Sequence, residues 1–319
     1  MIVEEIELAI NTLKKGDLVA IPTETVYGLA ANALNVAAVK RIFELKNRPS
    51  NNPLIVHVAS WDAAQKYVQE VPAMATELAH RFMPGPLTLL LQKNVLVPDL
   101  VTAGSAKVAI RVPEHSKTLS LLKSLDFPLV APSANPYTRI SPTSAQMVEA
   151  YFGKDELMVL DGGHCEKGIE STIVGFDGTS PVLYRQGAIS IEAIEKVVGP
   201  LKMFKSGQNA TITPGMAKLH YAPKTKFLIV ANIEAYLKAH PQSKLGVLQM
   251  GATILHEAHS AVQFKQLSLS SNLEEASAKL YQAMYELDML GLDAIIIEPF
   301  QDLGIGKALN DRIQRAAFV

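Results

Sequence analysis

The feature that most restricts the fold is a series of short apolar runs that do not alternate with polar residues. Leu18–Ile21, Leu54–Val58, Leu87–Leu91, Val108–Val112, Leu129–Ala131, Leu157–Leu160, Thr172–Val174 and Val182–Tyr184 are of this kind. A strand with one wet face alternates, so runs like these predict strands covered on both faces. Between them lie segments with helical spacing. Val36, Val39, Ile42 and Phe43 share one face of a helix over 36–46. Residues 61–70, with Ser60 as N-cap, and 73–82, ending at Met83-Pro84-Gly85-Pro86, read as two more. Val3, Ile6, Ile10 and Leu13 predict a helix over 3–15 with Gly16 as its stop. Strands alternating with helices predict an α/β fold, a twisted open mixed sheet with flanking helices.

The pattern stops near residue 203. Residues 205–224 carry Gly, Pro, Ser and Thr without an apolar period, and read as an ordered linker. A second α/β pattern follows, with strands at Phe227–Ala231, Leu245–Met250 and Ala294–Glu298 and helices at 272–290 and 305–317. The expected division is a first domain over 1–203, a linker or lid over 204–224, and a smaller Rossmann-like α/β domain over 225–319.

Composition excludes several classes. At 48% hydrophobic over 319 residues the chain has enough apolar material for packed cores. No apolar stretch reaches the ~18–20 residues of a membrane span, so no membrane partner is expected. The start, Met1 to Lys15, has paired acids and no basic region, unlike a secretory signal. Cys165 is the single cysteine, which excludes a disulfide framework or a multi-thiolate metal site and points to a reducing cytoplasm. A net charge of −1 argues against a basic nucleic-acid coat but not against a local basic cleft.

Neither G-x-x-x-x-G-K-[ST] nor G-x-G-x-x-G after a strand occurs, and His256-Glu257-Ala258-His259 has the wrong spacing for a zincin helix. Four other segments draw attention. Pro22-Thr23-Glu24-Thr25-Val26-Tyr27-Gly28-Leu29 follows a strand, where open α/β sheets hold ligands. It reads equally as a polar connector in which Glu24 caps the next helix. Lys46-Asn47-Arg48-Pro49 precedes Asn51-Asn52-Pro53 and His57. Lys46 reads as a helix-end charge, but with Arg48 it also supplies the fixed cation and fork that a triphosphate requires without a P-loop. His57 alone is more often a structural strand histidine. Pro132-Ser133-Ala134-Asn135-Pro136, continuing to Ser141 and Thr143, reads as an anion-holding turn or as an ordinary turn with an N-cap at Ser141 or Thr143. Asp161-Gly162-Gly163, Gly168 to Thr172 and Arg185-Gln186-Gly187 form the fourth. Arg111, in an apolar strand, must be paired or await an anion. Lys46, Arg48, Arg111 and Arg185 are expected to converge on one polyanion. Cys165 has no catalytic partner in view and is not read as a nucleophile.

At these segments, and at Pro214-Gly215-Met216, His220-Tyr221-Ala222-Pro223-Lys224 and Asn310-Asp311-Arg312-Ile313, the chain resembles the YrdC-like family of threonylcarbamoyl-AMP synthases in its long form, over essentially its whole length. The resemblance implies synthesis of threonylcarbamoyl-AMP and pyrophosphate from L-threonine, bicarbonate and ATP with Mg²⁺, in the cytoplasm. The product would serve a threonylcarbamoyl transferase machinery that modifies tRNA beside the anticodon. It implies catalytic roles for Lys46 and Arg48. ATP contacts would come from Lys46, Arg48, Asn52, Ser133, Ser141, Arg185, His220 and Tyr221, and threonine contacts from Thr25, His57, Arg111 and Ser171, with no protein-held metal. The chain departs from the family at Tyr137-Thr138, where Ser-Gly is frequent, and at Lys107, where a small hydroxyl residue is. The alternative is an RNA-binding module of the same fold, with possible weak RNA binding. The related carbamoyl-AMP enzymes of hydrogenase maturation carry cysteine zinc fingers, which one cysteine excludes.

Overall fold

The computed structural model describes residues 1–204, 219–252 and 262–317. Pro214-Gly215-Met216 and His256-Glu257-Ala258-His259 lie outside these. The first sheet holds β1 (Ile2–Val3), β2 (Val19–Ile21), β3 (Gly28–Asn32), β4 (Ile55–His57), β5 (Leu87–Gln92), β6 (Lys107–Arg111), β7 (Leu129–Val130), β8 (Met158–Leu160), β9 (Thr172–Asp177), β10 (Ser180–Arg185) and β11 (Lys202–Met203). Their order is β1-β8-β2-β3-β7-β4-β6-β5-β9-β10-β11, with parallel and antiparallel pairs.

Both faces are covered, as the unbroken apolar runs predict. In β2, Val19 and Ile21 join a core with Ile10 and Leu13 of the helix Ile6–Lys14, while Ala20 joins the opposite core with Val39 and Ile42 of the helix Val36–Lys46. Helical spacing misplaces Val3, which pairs with Leu160 in β1 rather than entering the first helix. The helix expected over 61–70 is one turn, Trp61–Ala64, continued by a 3₁₀ turn to Tyr67, and Ser60 caps it through Ala63 N at 3.1 Å. The helix after Ser141 begins at Ala145. Its N-cap is Ser144, not Ser141 or Thr143.

The second sheet is fully parallel, with order β12 (Phe227–Ile229), β15 (Ala294–Ile297), β13 (Leu245–Met250) and β14 (Gln263–Ser268). One apolar cluster joins the two domains. Val26, Ile140, Met147 and Ile169 of the first pack with Tyr281, Leu309 and Ile313 of the second. Gly168 makes this contact possible. Its φ is +71°, and a Cβ there would meet the Ser277 carbonyl at 2.2 Å. Ser277 Oγ donates in turn to the Lys167 carbonyl.

Candidate active site

A tight cleft of about 50 Å³ lies where β3, β4, β6, β7 and β9 meet. The helix Val36–Lys46 delivers two cations toward it. Asn35 caps this helix, accepting from Ala37 N and Ala38 N. Asn47 ends it in a left-handed conformation (φ 51°), and Arg48 N returns to Phe43 O at 2.9 Å. This C-terminal turn reverses the chain, so Lys46 and Arg48 both fold inward. Lys46 is 1% exposed and its Nζ donates to the carbonyls of Ser133 (2.6 Å) and Asn135. It is therefore not the solvated helix-end charge of the simpler reading. Burial, then the neighbouring Arg48, holds its amine well below the usual ammonium range. Arg48 donates to Asn52 Oδ1 (2.6 Å) and Pro53 O (2.9 Å), and burial lowers it to about 10.

Sheet register sets the next pair. In the parallel β4–β6 ladder His57 stands opposite Arg111. Burial, with the Arg111 charge second, holds His57 at about 3, so the ring is neutral at physiological pH. Its Nδ1 lies 3.2 Å from Ile55 O, which assigns the proton to Nδ1 and leaves Nε2 as acceptor. Arg111 Nη2 lies 2.7 Å from Glu24 Oε1, both buried, yet neither atom has an aligned hydrogen bond. Glu24 Oε2 accepts from Glu114 N at 3.0 Å. Glu24 is thus a counter-ion, and β3 rather than a helix follows it. Thr25 is held by the Thr23 hydroxyl, which accepts from Thr25 N and Val26 N and donates to Val26 O.

The opposite wall comes from β9 and β10. A register shift between Leu183 and Arg185 re-aims Arg185, whose Nε and Nη2 donate to Ser171 O at 3.0 and 2.9 Å. Gly187 lets the following segment cross β9, since a Cβ there would lie 2.4 Å from Glu170 O. Glu170 accepts from Ser141 Oγ (2.7 Å), Tyr281 Oη (3.1 Å) and Arg312 Nε (2.8 Å). Burial alone would raise its carboxyl, but Arg312 and Arg185 hold it below the usual carboxylate range.

His220 and Tyr221 close the cleft. Tyr221 has φ 62°, unusual for a bulky residue, and stacks on Tyr281 with ring centroids 5.7 Å apart. Burial, then Glu170, pushes its phenol up to about 12, and burial holds His220 at about 3. His220 Nδ1 and Tyr221 Oη are buried without hydrogen-bond partners, places where a ligand group would be satisfied. Ala222 N donates to Thr138 O, and the Tyr137 ring edge faces His220. Thr138 has φ 71°, in the left-handed region. Lys107 lies elsewhere, its Nζ donating to Phe176 O.

Thr25, Arg48, His57, Arg111, Ser133, Ser171, Arg185, His220 and Tyr221 all line this cleft. Lys46, Asn52 and Ser141 do not, but each bonds a lining residue, respectively Ser133, Arg48 and Glu170. Sequence reasoning missed Glu170 as a wall residue, and Tyr281 and Arg312 behind it. Glu170 stood beside Ser171 in a singled-out segment, and a carboxylate in an apolar strand entry was the available signal. Cys165 is buried, and burial raises its thiol, which does not suit a nucleophile.

Comparison with known proteins agrees along the whole chain. Residues 11–187 match the Sua5_yciO_yrdC family model, described as telomere recombination. Residues 189–318 match the threonylcarbamoyl-AMP synthase C-terminal domain. The threonylcarbamoyl-AMP synthase of Pyrococcus abyssi is 38% identical, over 98% of this chain and 94% of its own. That of Bacillus subtilis is 39% identical, over 98% and 93%. The crystal structure of P. abyssi Sua5 complexed with L-threonine superposes with a TM-score of 0.90 at 36% identity, covering 99% of this chain and 97% of that one.

Proposed function

From the premise that this chain belongs to the threonylcarbamoyl-AMP synthase family in its two-domain form, we propose that it joins L-threonine, bicarbonate and ATP into threonylcarbamoyl-AMP and pyrophosphate. The observation that carries this reading is the convergence of Arg48, Arg111 and Arg185 in one buried cleft, with Lys46 beneath it. Cations that are desolvated and only partly neutralised favour a compact polyanion. They are 1–8% exposed, which suits a small anion admitted to the cleft better than a bulky nucleic-acid backbone. This disfavours an RNA-binding module.

The residues divide between two substrates. Thr25, His57, Arg111 and Ser171 form the proposed threonine side, where Arg111 meets the carboxylate and neutral His57 Nε2 accepts from the amine. A neutral amine attacks the carbon of bicarbonate; the C–OH bond breaks and the hydroxyl leaves as water with a proton from the amine, giving a carbamate. The carbamate oxygen then attacks the α-phosphorus, and the bond from phosphorus to the β-phosphate oxygen breaks. Lys46, Arg48, Asn52, Ser133, Ser141 and Arg185 form the proposed ATP side and stabilise charge on the phosphates. Glu170, the carboxylate that lines the cleft, is engaged by Ser141, Tyr281 and Arg312, and Glu24 lies behind Arg111 at 2.7 Å. An ATP-borne Mg²⁺, which neutralises triphosphate charge, would therefore be held through the substrate's own oxygens. His220 and Tyr221 exclude water from the labile carbamate. The product would pass to a threonylcarbamoyl transferase acting on tRNA in the cytoplasm.

The test is pyrophosphate release with ATP, Mg²⁺ and bicarbonate, with and without threonine. Release is expected only with threonine, and Arg48→Ala or Lys46→Ala is expected to lower it at least about a hundredfold in a folded protein. Near-normal turnover in both variants would remove the assignment.

A further inference from the structure

Among the described residues, those lining the cleft lie between positions 25 and 221, yet Arg312 and Tyr281 of the second domain each hold two of them, Glu170 and Tyr221. Arg312, on the helix Gly306–Ala316, is 1% exposed. Its Nε donates to Glu170 Oε2, its Nη2 to the Gln186 carbonyl and its Nη1 to Asp311 Oδ2, each at 2.8 Å. Its Cζ lies 5.1 Å from the centroid of the Tyr221 ring. A guanidinium is a rigid planar fork that both bonds carboxylates and supports aromatic faces, so these contacts fix one another.

The consequences run to one side of the cleft. Glu170 Oε1 accepts from Ser141 Oγ, so moving Glu170 moves Ser141. Tyr221, with its left-handed φ, contacts both Tyr281 and Arg312. Arg312 makes none of these contacts to Thr25, His57 or Arg111. A second interdomain ion pair, Lys307–Glu192 at 2.7 Å, is solvent-accessible and touches no lining residue. It joins the domains without reaching the cleft.

We propose that Arg312 is a positioning residue through which the second domain sets the nucleotide side of the cleft, holding Glu170, Ser141 and the Tyr221 ring where ATP is read. The inference rests on the synthase reaction for its kinetic readout. In the full-length chain, Arg312→Gln is expected to raise KM for ATP about tenfold while KM for threonine stays within about twofold. Arg312→Lys keeps the charge but loses the fork, and is expected to recover only part of the loss. Lys307→Gln is expected to match the unaltered protein.

An equal loss for both substrates, or unchanged kinetics, would overturn the proposal in favour of a merely structural anchor. Should Arg312→Gln fail to fold, Tyr281→Phe removes one donor from Glu170 with its ring retained. It is expected to give the same split at about threefold, and its absence counts against the proposal in the same way. If the unaltered protein releases no pyrophosphate, the synthase reading falls by itself. Positioning is then read by amide hydrogen exchange over residues 219–224, which Arg312→Gln is expected to accelerate without changing β2, β4 or β6. Unchanged protection there would overturn it.

Discussion

Two buried carboxylate–arginine pairs flank the cleft at nearly equal distances, and they are built differently. Glu24–Arg111 measures 2.7 Å, but Glu24 Oε1 and Arg111 Nη2 are misaligned and lack any hydrogen bond. Glu170–Arg312 measures 2.8 Å, is aligned, and sits among Ser141, Tyr281, Gln186 and Asp311, which take up the remaining donors and acceptors. The first pair lies within one domain and the second joins two. Separation alone would rank them together. Alignment separates a pair open to re-pairing by an incoming zwitterion from one finished as a joint.

The comparison breaks first at the joint. Glu170→Leu would leave buried Arg312 with only the partly exposed Asp311 as counter-ion, and about 3 kcal/mol of stability should vanish from the urea midpoint. A loss under about 1 kcal/mol would mean that the two pairs are equivalent. Glu24→Gln sharpens the contrast from the other side. Because its bond to Arg111 is unfinished, it should cost about 1–2 kcal/mol of stability while lowering threonine-dependent turnover about a hundredfold. A stability loss equal to that of Glu170→Leu would refute the distinction.

The smallest effect concerns the two histidines, one near each pair. His57 and His220 are held at about 3, below their unfolded value of 6.5. Between those values the unfolded chain binds more protons, so stability is full above pH 6.5 and declines as pH falls. The decline should reach about 0.8 kcal/mol per histidine by pH 6. His57→Gln should remove half of that loss in denaturation curves at pH 8 and pH 6. An unchanged pH slope would show that His57 is not buried neutral.

The sequence made the first half of this arrangement readable because its cations sit on punctuated segments. Asn47 after a helical period and Pro49 before a strand isolate Lys46 and Arg48 as chain-reversal residues. The joint was not readable. Glu170 and Arg312 are 142 residues apart and meet only when the domains dock on Gly168, a contact that no local pattern encodes. The same physics governs the fold. β2, β5 and β13 announce themselves as apolar runs, whereas β14 reads Gln263-Phe264-Lys265-Gln266-Leu267-Ser268. It is an edge strand paired on one side only, and its polar residues conceal it. β3 was hidden for the opposite reason, since Gly28, Ala30 and Ala31 are too small to signal burial.

Lys46 has a consequence for proton traffic. Its amine donates to two carbonyls, and burial, then Arg48, lowers its proton affinity. An anion placed beside it would act in the opposite sense and tighten its hold on the proton. Occupancy of the cleft by an anion would thereby be coupled to the acidity of the surrounding solution.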